Sequence, residues 1–304
     1  MMTNVSLIGL GGIGAAYASK LHDLAPENLK IIVNHERMSR FQKEGVTINS
    51  NRYDFQYIQP EELTKPAELV LIAVKYDGLN QAIKDVQQHI GPDTIIISLM
   101  NGITSEEMIA KAYPDNVILP AMCVAIDAIR EGTSVTFSNI GRICFGENTN
   151  QTLSTNVKKV SQLFDQAGIP YEVPEDMLHT MWWKFMINVG INQTSAVLKA
   201  PYRVFQEIPE AHAFMKSAMQ EVITLAKARG IQLTEDDFLK FDQILKKGLA
   251  PEGKTSMLQD VEAGRKTEVE YLAGTVSKLG KTYQIPTPIN DMLYNMIKVL
   301  EKTY

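Results

Sequence analysis

The chain has 304 residues, 45% of them hydrophobic and 21% charged, and a formal net charge of -5. That length allows two domains of ~100–200 residues each, and the acidic balance argues against a general affinity for nucleic acid or anionic membrane. No apolar run approaches the ~18–20 residues of a membrane span.

The N-terminus, Met1-Met2-Thr3-Asn4, lacks the basic start and apolar stretch of a signal peptide. Only Cys123 and Cys144 occur, each within an apolar strand-like stretch. They read as small buried hydrophobes, and a reducing, cytoplasmic setting is expected.

In chain order, the first strong signal is Val5-Ser-Leu-Ile-Gly-Leu-Gly-Gly-Ile-Gly14, followed by a helix-like Ala15–Leu21. An apolar strand runs into Gly9-x-Gly11-x-x-Gly14. Gly9 allows the tight turn, Gly11 lets a pyrophosphate approach the backbone, and Gly14 lets the helix pack on the strand. The positive end of that helix would hold the phosphates. The competing reading is a tight turn that binds nothing, or a different nucleotide-like ligand.

Further apolar strands are predicted at 29–34, 69–74, 94–99 and 117–122, with helices near 36–44, 78–89 and 103–112. This alternation predicts a right-handed, doubly wound parallel sheet of Rossmann type. Residues 133–146 read as two short strands around Ser138-Asn139, an antiparallel addition to the sheet edge.

The end of the second strand meets the adenosine ribose in such folds, and a carboxylate there selects NAD over NADP. Here the residue is Asn34, which can accept either coenzyme. His35, Arg37 and Arg40 offer cation to a 2′-phosphate, Glu36 cuts the other way, and the balance points to NADP with NAD open. A solvated helix face is the bland account of the two arginines. Lys75 and Asn101-Gly102 end the third and fourth strands at the carboxyl edge, where ligands sit, although Asn-Gly is also a common turn pair.

From about residue 176 the pattern becomes helical, with helices predicted at 176–199, 208–229, 235–248, 268–282 and 288–302. The expected division is a dinucleotide-binding domain at 1–170 and an all-helical substrate and catalytic domain at 171–304. Lys184, Asn188 and Asn192 are spaced i, i+4, i+8 on an otherwise apolar helix. Burying them without partners is costly, so they require a ligand, a carboxylate or one another. Ser256 and Asp260 form a second i, i+4 pair. Glu268 opens the next helix, where a dipole-complementing role with Thr267 as cap is the bland account. The histidines at 22, 35, 89, 179 and 212 lack ligand spacing, so no metal is expected, and surface or capping roles suit them.

Together these pieces resemble the ketopantoate reductase family. The matching elements are Gly9-Leu-Gly-Gly-Ile-Gly14, Val74-Lys75, Asn101-Gly102, Trp183-Lys184 with Asn188 and Asn192, Ser256-Met-Leu-Gln-Asp260, Gly264-Arg-Lys-Thr-Glu268 and Pro286-Thr-Pro288. The resemblance implies a cofactor site that includes Gly9, Gly11, Gly12, Ile13, Gly14, Asn34, Arg37, Lys75 and Asn101. It implies Lys184 as general acid, with Glu268, Asn188 and Asn192 binding the substrate's polar groups and orienting the lysine. Ser256 would meet the substrate carboxylate, and Asn101 would stand between nicotinamide and substrate.

The implied reaction is NADPH-dependent reduction of 2-dehydropantoate to D-pantoate, on the pantothenate route. The alternative is an NAD(H)-dependent D-2-hydroxyacid dehydrogenase acting on other branched or aromatic 2-keto acids. A non-catalytic dinucleotide sensor would not need the lysine. The implied partner is a small 2-keto acid, with no nucleic acid or membrane, and a homodimer stays open. The chain departs from the family's pattern at Asn34 (commonly arginine), at Gly253 and Ala273 (commonly asparagine), and near Ala200-Pro201, where a glycine is usual.

Overall fold

A computed structural model describes residues 2–303. The chain divides into two compact units, the first ending at Leu178 and the second beginning at His179. The sequence pattern places the division after residue 170, eight residues earlier.

The first unit begins with β1 (Val5–Ile8), α1 (Gly12–Leu24), β2 (Leu29–Ile32), α2 (His35–Glu44), β3 (Val46–Ile48), β4 (Asn51–Tyr53) and β5 (Gln56–Ile58). It continues through β6 (Leu69–Ile72), α3 (Leu79–Asp85), β7 (Ile95–Ser98), α4 (Ser105–Ala112), β8 (Val117–Leu119) and β9 (Ala121–Val124). The last elements are β10 (Ile129–Glu131), β11 (Ser134–Thr136), β12 (Arg142–Phe145), α5 (Thr155–Ala167) and β13 (Tyr171–Glu172).

The main sheet runs β5-β2-β1-β6-β7-β8, with every neighbouring pair parallel. All four residues of β1, β6 and β7 are buried, as a sheet covered on both faces requires. Tyr17 of α1 is fully buried too, its hydroxyl donating to the Ile140 carbonyl at 3.0 Å. Burial raises that phenol's pKa well above its ordinary value.

The predicted edge addition at 133–146 divides differently. β11 pairs with β10 and β3, whereas β12 pairs with β9 and β13 in a separate three-stranded sheet. Two local causes are visible. Pro120, which has no N–H to give, separates β8 from β9, and its carbonyl instead accepts from the Gly146 N–H at 3.1 Å. Asp127 accepts from the backbone of Ser138 and Asn139 at 3.0 and 2.8 Å, turning the chain between β11 and β12. Cys123 and Cys144 lie buried on β9 and β12.

The helical region starts with α6 (Met177–Ile187), which runs through a π-helical turn (Asn188–Asn192) into α7 (Gln193–Leu198). There follow α8 (Tyr202–Glu207), α9 (Pro209–Ala228), α10 (Glu235–Gly248), α11 (Ser256–Glu262), α12 (Ala273–Tyr283) and α13 (Pro288–Leu300). Pro209 and Pro288 each occupy a first-turn position, where the missing N–H costs nothing. Gly230 stands just past α9 with φ +75°, a left-handed stop. The helix predicted from 268 starts later, because a short 3₁₀ turn (Val269–Tyr271) intervenes before α12. No described helix is long and apolar enough to cross a membrane.

Candidate functional site

The glycine turn between β1 and α1 has the geometry its residues demand. Gly9 sits at φ +105°, and a Cβ there would lie 2.6 Å from the Ala73 backbone. A Cβ on Gly14 would lie 1.9 Å from the Gly9 carbonyl oxygen. A Cβ on Gly12 would meet the Ala128 carbonyl oxygen at 2.7 Å, while one on Gly11 would make only an ordinary contact, 3.9 Å from the Ala73 carbonyl oxygen. So Gly9 and Gly14 serve the turn itself, Gly12 serves packing against the segment leading into β10, and Gly11 leaves the backbone open to a ligand.

Helix α1 starts at this turn with no side-chain cap bond and no acidic residue in its first turn. Its first N–H groups and positive dipole end are therefore available to an anion. Ile13, half-buried in that turn, packs against the core. The cradle fits a dinucleotide pyrophosphate.

Asn34 follows β2, as expected for a residue facing the ribose. Its exposed side chain caps α2, Oδ1 accepting from the Arg37 N–H at 3.0 Å. Arg37 and Arg40 are exposed on α2. Arg130 of β10, which the sequence did not single out, joins them. It donates through Nη1 to the Leu10 carbonyl in the glycine turn and through Nε to the Gly132 carbonyl at 2.9 Å. Arg130 and Arg40 place their guanidinium carbons 5.6 and 5.3 Å from the centroid of one ring, Phe41. Leu10 and Arg130 are 120 residues apart, so no local pattern could have paired them.

Lys75 precedes a 3₁₀ turn (Tyr76–Gly78) after β6 and is exposed. Asn101 is half-buried beside Gly102, whose φ is +96°. A buried hydroxyl chain fastens both ends of that loop. Ser98 at the end of β7 donates to Ser105 at 2.9 Å, and Ser105 donates to the Glu106 carboxylate at 2.9 Å. Burial pushes the Glu106 carboxyl up to about 7, against hydrogen bonds that favour its ionised form.

In the helical unit, Lys184, Asn188 and Asn192 are all half-buried, whereas Phe185, Met186, Val189 and Ile191 beside them are buried. The π turn matters here. Four residues of α-helix overshoot a full turn by about 40°, and the wider i→i+5 turn swings back. The three polar side chains therefore stay closer to one line than a regular helix would keep them. Gly190 lets α9 approach, since a Cβ there would lie 2.4 Å from the Met219 side chain.

Gln193, fully buried, ties this segment down. It donates to the Val189 carbonyl at 2.7 Å and to Asn290 Oδ1 at 3.2 Å, and accepts from the Ala273 N–H at 2.9 Å. The side chain at 273, an expected departure, thus coincides with a backbone anchor. At the other end, His179 and Asp237 pair at 3.1 Å, and the Trp183 indole donates to the Asp237 carbonyl at 3.0 Å.

Ser256 is exposed in the first turn of α11. Its neighbour Thr255 caps that helix and donates to Ser195 of α7 at 3.2 Å, fixing α11 against the chain that carries the Lys/Asn row. Glu268 is half-buried ahead of the 3₁₀ turn, not in a first α-helical turn. Thr267 does act locally, accepting from the Val269 N–H at 3.3 Å, but its hydroxyl also donates to Glu301 at 2.7 Å.

The departures at Gly253 and Ala200-Pro201 belong to one corner. A Cβ on Gly253 would meet the Tyr202 ring at 2.9 Å and the Ala250 carbonyl oxygen at 2.9 Å, and the Tyr202 N–H donates to the Gly253 carbonyl at 3.0 Å. An asparagine at 253 would need the tyrosine to move. One histidine expectation fails. His89 is fully buried between Thr64 (3.0 Å) and the Gln59 carbonyl (3.2 Å), and burial holds its pKa below the ordinary value. Among the described residues no group of metal-ligating side chains occurs.

Comparison with known proteins agrees with this layout. Residues 5–150 match the family model for ketopantoate reductase PanE/ApbA, and residues 176–301 match the model for its C-terminal part. A 2-dehydropantoate 2-reductase of Pyrobaculum aerophilum is 30% identical over 208 residues, 68% of this chain and 70% of that protein. One from Aquifex aeolicus is 25% identical over 305 residues, 99% and 98% of the two chains. Among solved structures, D-mandelate dehydrogenase with NADH and anilino(oxo)acetate superposes with a TM-score of 0.85 at 20% identity, covering 99% of each chain, a likeness of fold. With both halves of the chain matched by the family's models and a relative 30% identical over 68% of it, this chain belongs to the ketopantoate reductase family.

Proposed function

We propose that this chain is an NADPH-dependent reductase that converts 2-dehydropantoate to D-pantoate. The observation that carries the proposal is the half-buried row of Lys184, Asn188 and Asn192 on a helix whose other positions are largely buried and apolar. In this reading, residues 1–170 hold the dinucleotide and residues 171–304 hold the substrate and the acid.

The glycine turn and α1 hold the pyrophosphate, Asn34 and Arg37 lie toward the adenosine ribose, and Lys75 and Asn101 lie toward the nicotinamide. When bound, the coenzyme supplies hydride to C2 of the keto acid. Negative charge then builds on the carbonyl oxygen. The Lys184 ammonium stabilises that charge and gives up its proton to the oxygen. Glu268, Asn188 and Asn192 orient the ammonium and bind the substrate's hydroxyl and carbonyl. The Ser256 hydroxyl donates to the substrate carboxylate.

A second reading, an NAD(H)-dependent D-2-hydroxyacid dehydrogenase, draws support from the missing cation at position 34, where Asn34 itself offers a 2′-phosphate no positive charge. Initial rates with 2-dehydropantoate, 2-ketoisovalerate and phenylglyoxylate, each with NADPH and NADH, separate the two. Strong turnover of 2-dehydropantoate with NADPH supports the first. Turnover confined to the other keto acids, or to NADH, replaces it with the second. We also propose a homodimer, on the exposed apolar stripe Met292, Met296 and Val299 along α13. Sedimentation at monomer mass would refute that.

A further inference from the structure

We infer that Arg130, reaching from β10 to the glycine turn, reads the 2′-phosphate of the coenzyme, with Arg40 and Arg37 of α2 completing the site. This rests on the NADPH reading above and names the residue that makes it work.

The placement is the first argument. Arg130 bonds the carbonyl of Leu10, the residue between Gly9 and Gly11, and packs on Phe41 of α2. It therefore lies between the glycine turn and the helix that follows β2, at the ribose end of a dinucleotide site. The pyrophosphate belongs instead at the start of α1.

The second argument is what the fork has left to give. The bonds to Leu10 and Gly132 engage two of the five N–H donors of a guanidinium and fix its plane. The other three have no hydrogen-bond partner among the described residues. Among the described residues none of Arg37, Arg40 and Arg130 forms an ion pair with a carboxylate, and two of them share one aromatic ring. Burial lowers the Arg130 pKa, and the positive charges of Arg40 and Arg37 lower it further. A cluster that repels itself in this way gains most from a dianion, and guanidinium forks match phosphate geometry.

The third argument is the neutral Asn34. The position that carries a carboxylate in NAD-selective sites has none here, and across residues 34–40 the single acid, Glu36 in the first turn of α2, stands against Arg37 and Arg40.

The test is direct titration of coenzyme by quenching of protein fluorescence, without turnover, on the wild type, Arg130→Met and Arg40→Met. Methionine keeps the hydrocarbon packing on Phe41 and removes the charge. Arg130→Met should weaken NADPH by ~10–100-fold, the loss of one or two charged hydrogen bonds, with NADH changed by less than ~3-fold. Arg40→Met should weaken NADPH selectively by ~3–10-fold, and it serves alone if Arg130→Met does not fold. Adenosine 2′,5′-bisphosphate should displace NADPH from the wild type far better than adenosine 5′-monophosphate, and lose that advantage in Arg130→Met.

Equal loss of both coenzymes would make Arg130 only a clip on the glycine turn and would overturn the inference. So would unchanged NADPH affinity in either variant. Wild-type protein that binds NADH as tightly as NADPH would instead refute the coenzyme reading itself, and the inference with it.

Discussion

Replacing Asp237 with asparagine should destabilise the helical unit by about 2 kcal/mol at neutral pH. The carboxylate accepts from His179 at 3.1 Å, from Lys240 at 3.0 Å, and from the Thr234 backbone and hydroxyl at 2.9 and 3.2 Å, while its side chain is only 4% exposed. Burial opposes its ionisation, but these bonds outweigh burial and hold the carboxyl at about 2, against an ordinary 3.8. At about 1.4 kcal/mol per pKa unit, the difference is worth about 2 kcal/mol. Because the folded value is depressed, this stability is present above pH ~4 and disappears as pH falls toward ~2. Urea unfolding of wild type and Asp237→Asn at pH 7, 5, 4 and 3 measures it. The gap between the two should be full at pH 7 and 5 and shrink at pH 4 and 3. A gap that is absent at pH 7, or that grows on acidification, would refute the reasoning. Since His179 and Trp183 both lean on Asp237 from the helix of Lys184, the variant should also lose turnover before it loses coenzyme affinity.

Lys184→Ala should cut turnover by ~10²–10⁴-fold with coenzyme affinity intact, as expected for a general acid; near-normal initial rates would remove it from that role. Gly14→Ala should cost about 3 kcal/mol or more, because the new Cβ would stand 1.9 Å from the Gly9 carbonyl oxygen. Gly168→Asn, at a left-handed helix end with open space around it, should cost little by comparison, and thermal melts of the pair would show whether backbone contact is the cause. Asn34→Asp should fold normally, since aspartate caps a helix as well as asparagine, and should shift the NADPH-to-NADH affinity ratio toward NADH. An unchanged ratio would mean that residue 34 does not face the ribose.

What was legible in the sequence is what depends on neighbours along the chain. The glycine turn needs a left-handed Gly9 and a bare Gly14, and both requirements sit within six residues of one another. The main parallel strands were visible as continuous apolar runs, and the helix starts at Pro209 and Pro288 as first-turn prolines. Lys184, Asn188 and Asn192 were legible by spacing alone. Helix α5 was not predicted, although Ser154 caps it by accepting from the Val157 N–H at 3.2 Å.

The tertiary structure decided the rest. Whether the two strands of 133–146 pair with each other could not be read locally, because their true partners, β3 and β9, lie elsewhere in the chain. The π turn that keeps the polar row in line is accompanied by packing of Gly190 on Met219 and by bonds from Gln193 to Val189, Asn290 and Ala273. Gly253 is explained only by the Tyr202 ring that occupies its side-chain space. Arg130 is the clearest case. As sequence it is one charged residue in a short hairpin, and only folding carries it across 120 residues to the glycine turn. The geometry of a tight turn or a helix end is dictated by neighbours along the chain, so the local sequence determines it. The concentration of charge at one point is set by which distant segments meet.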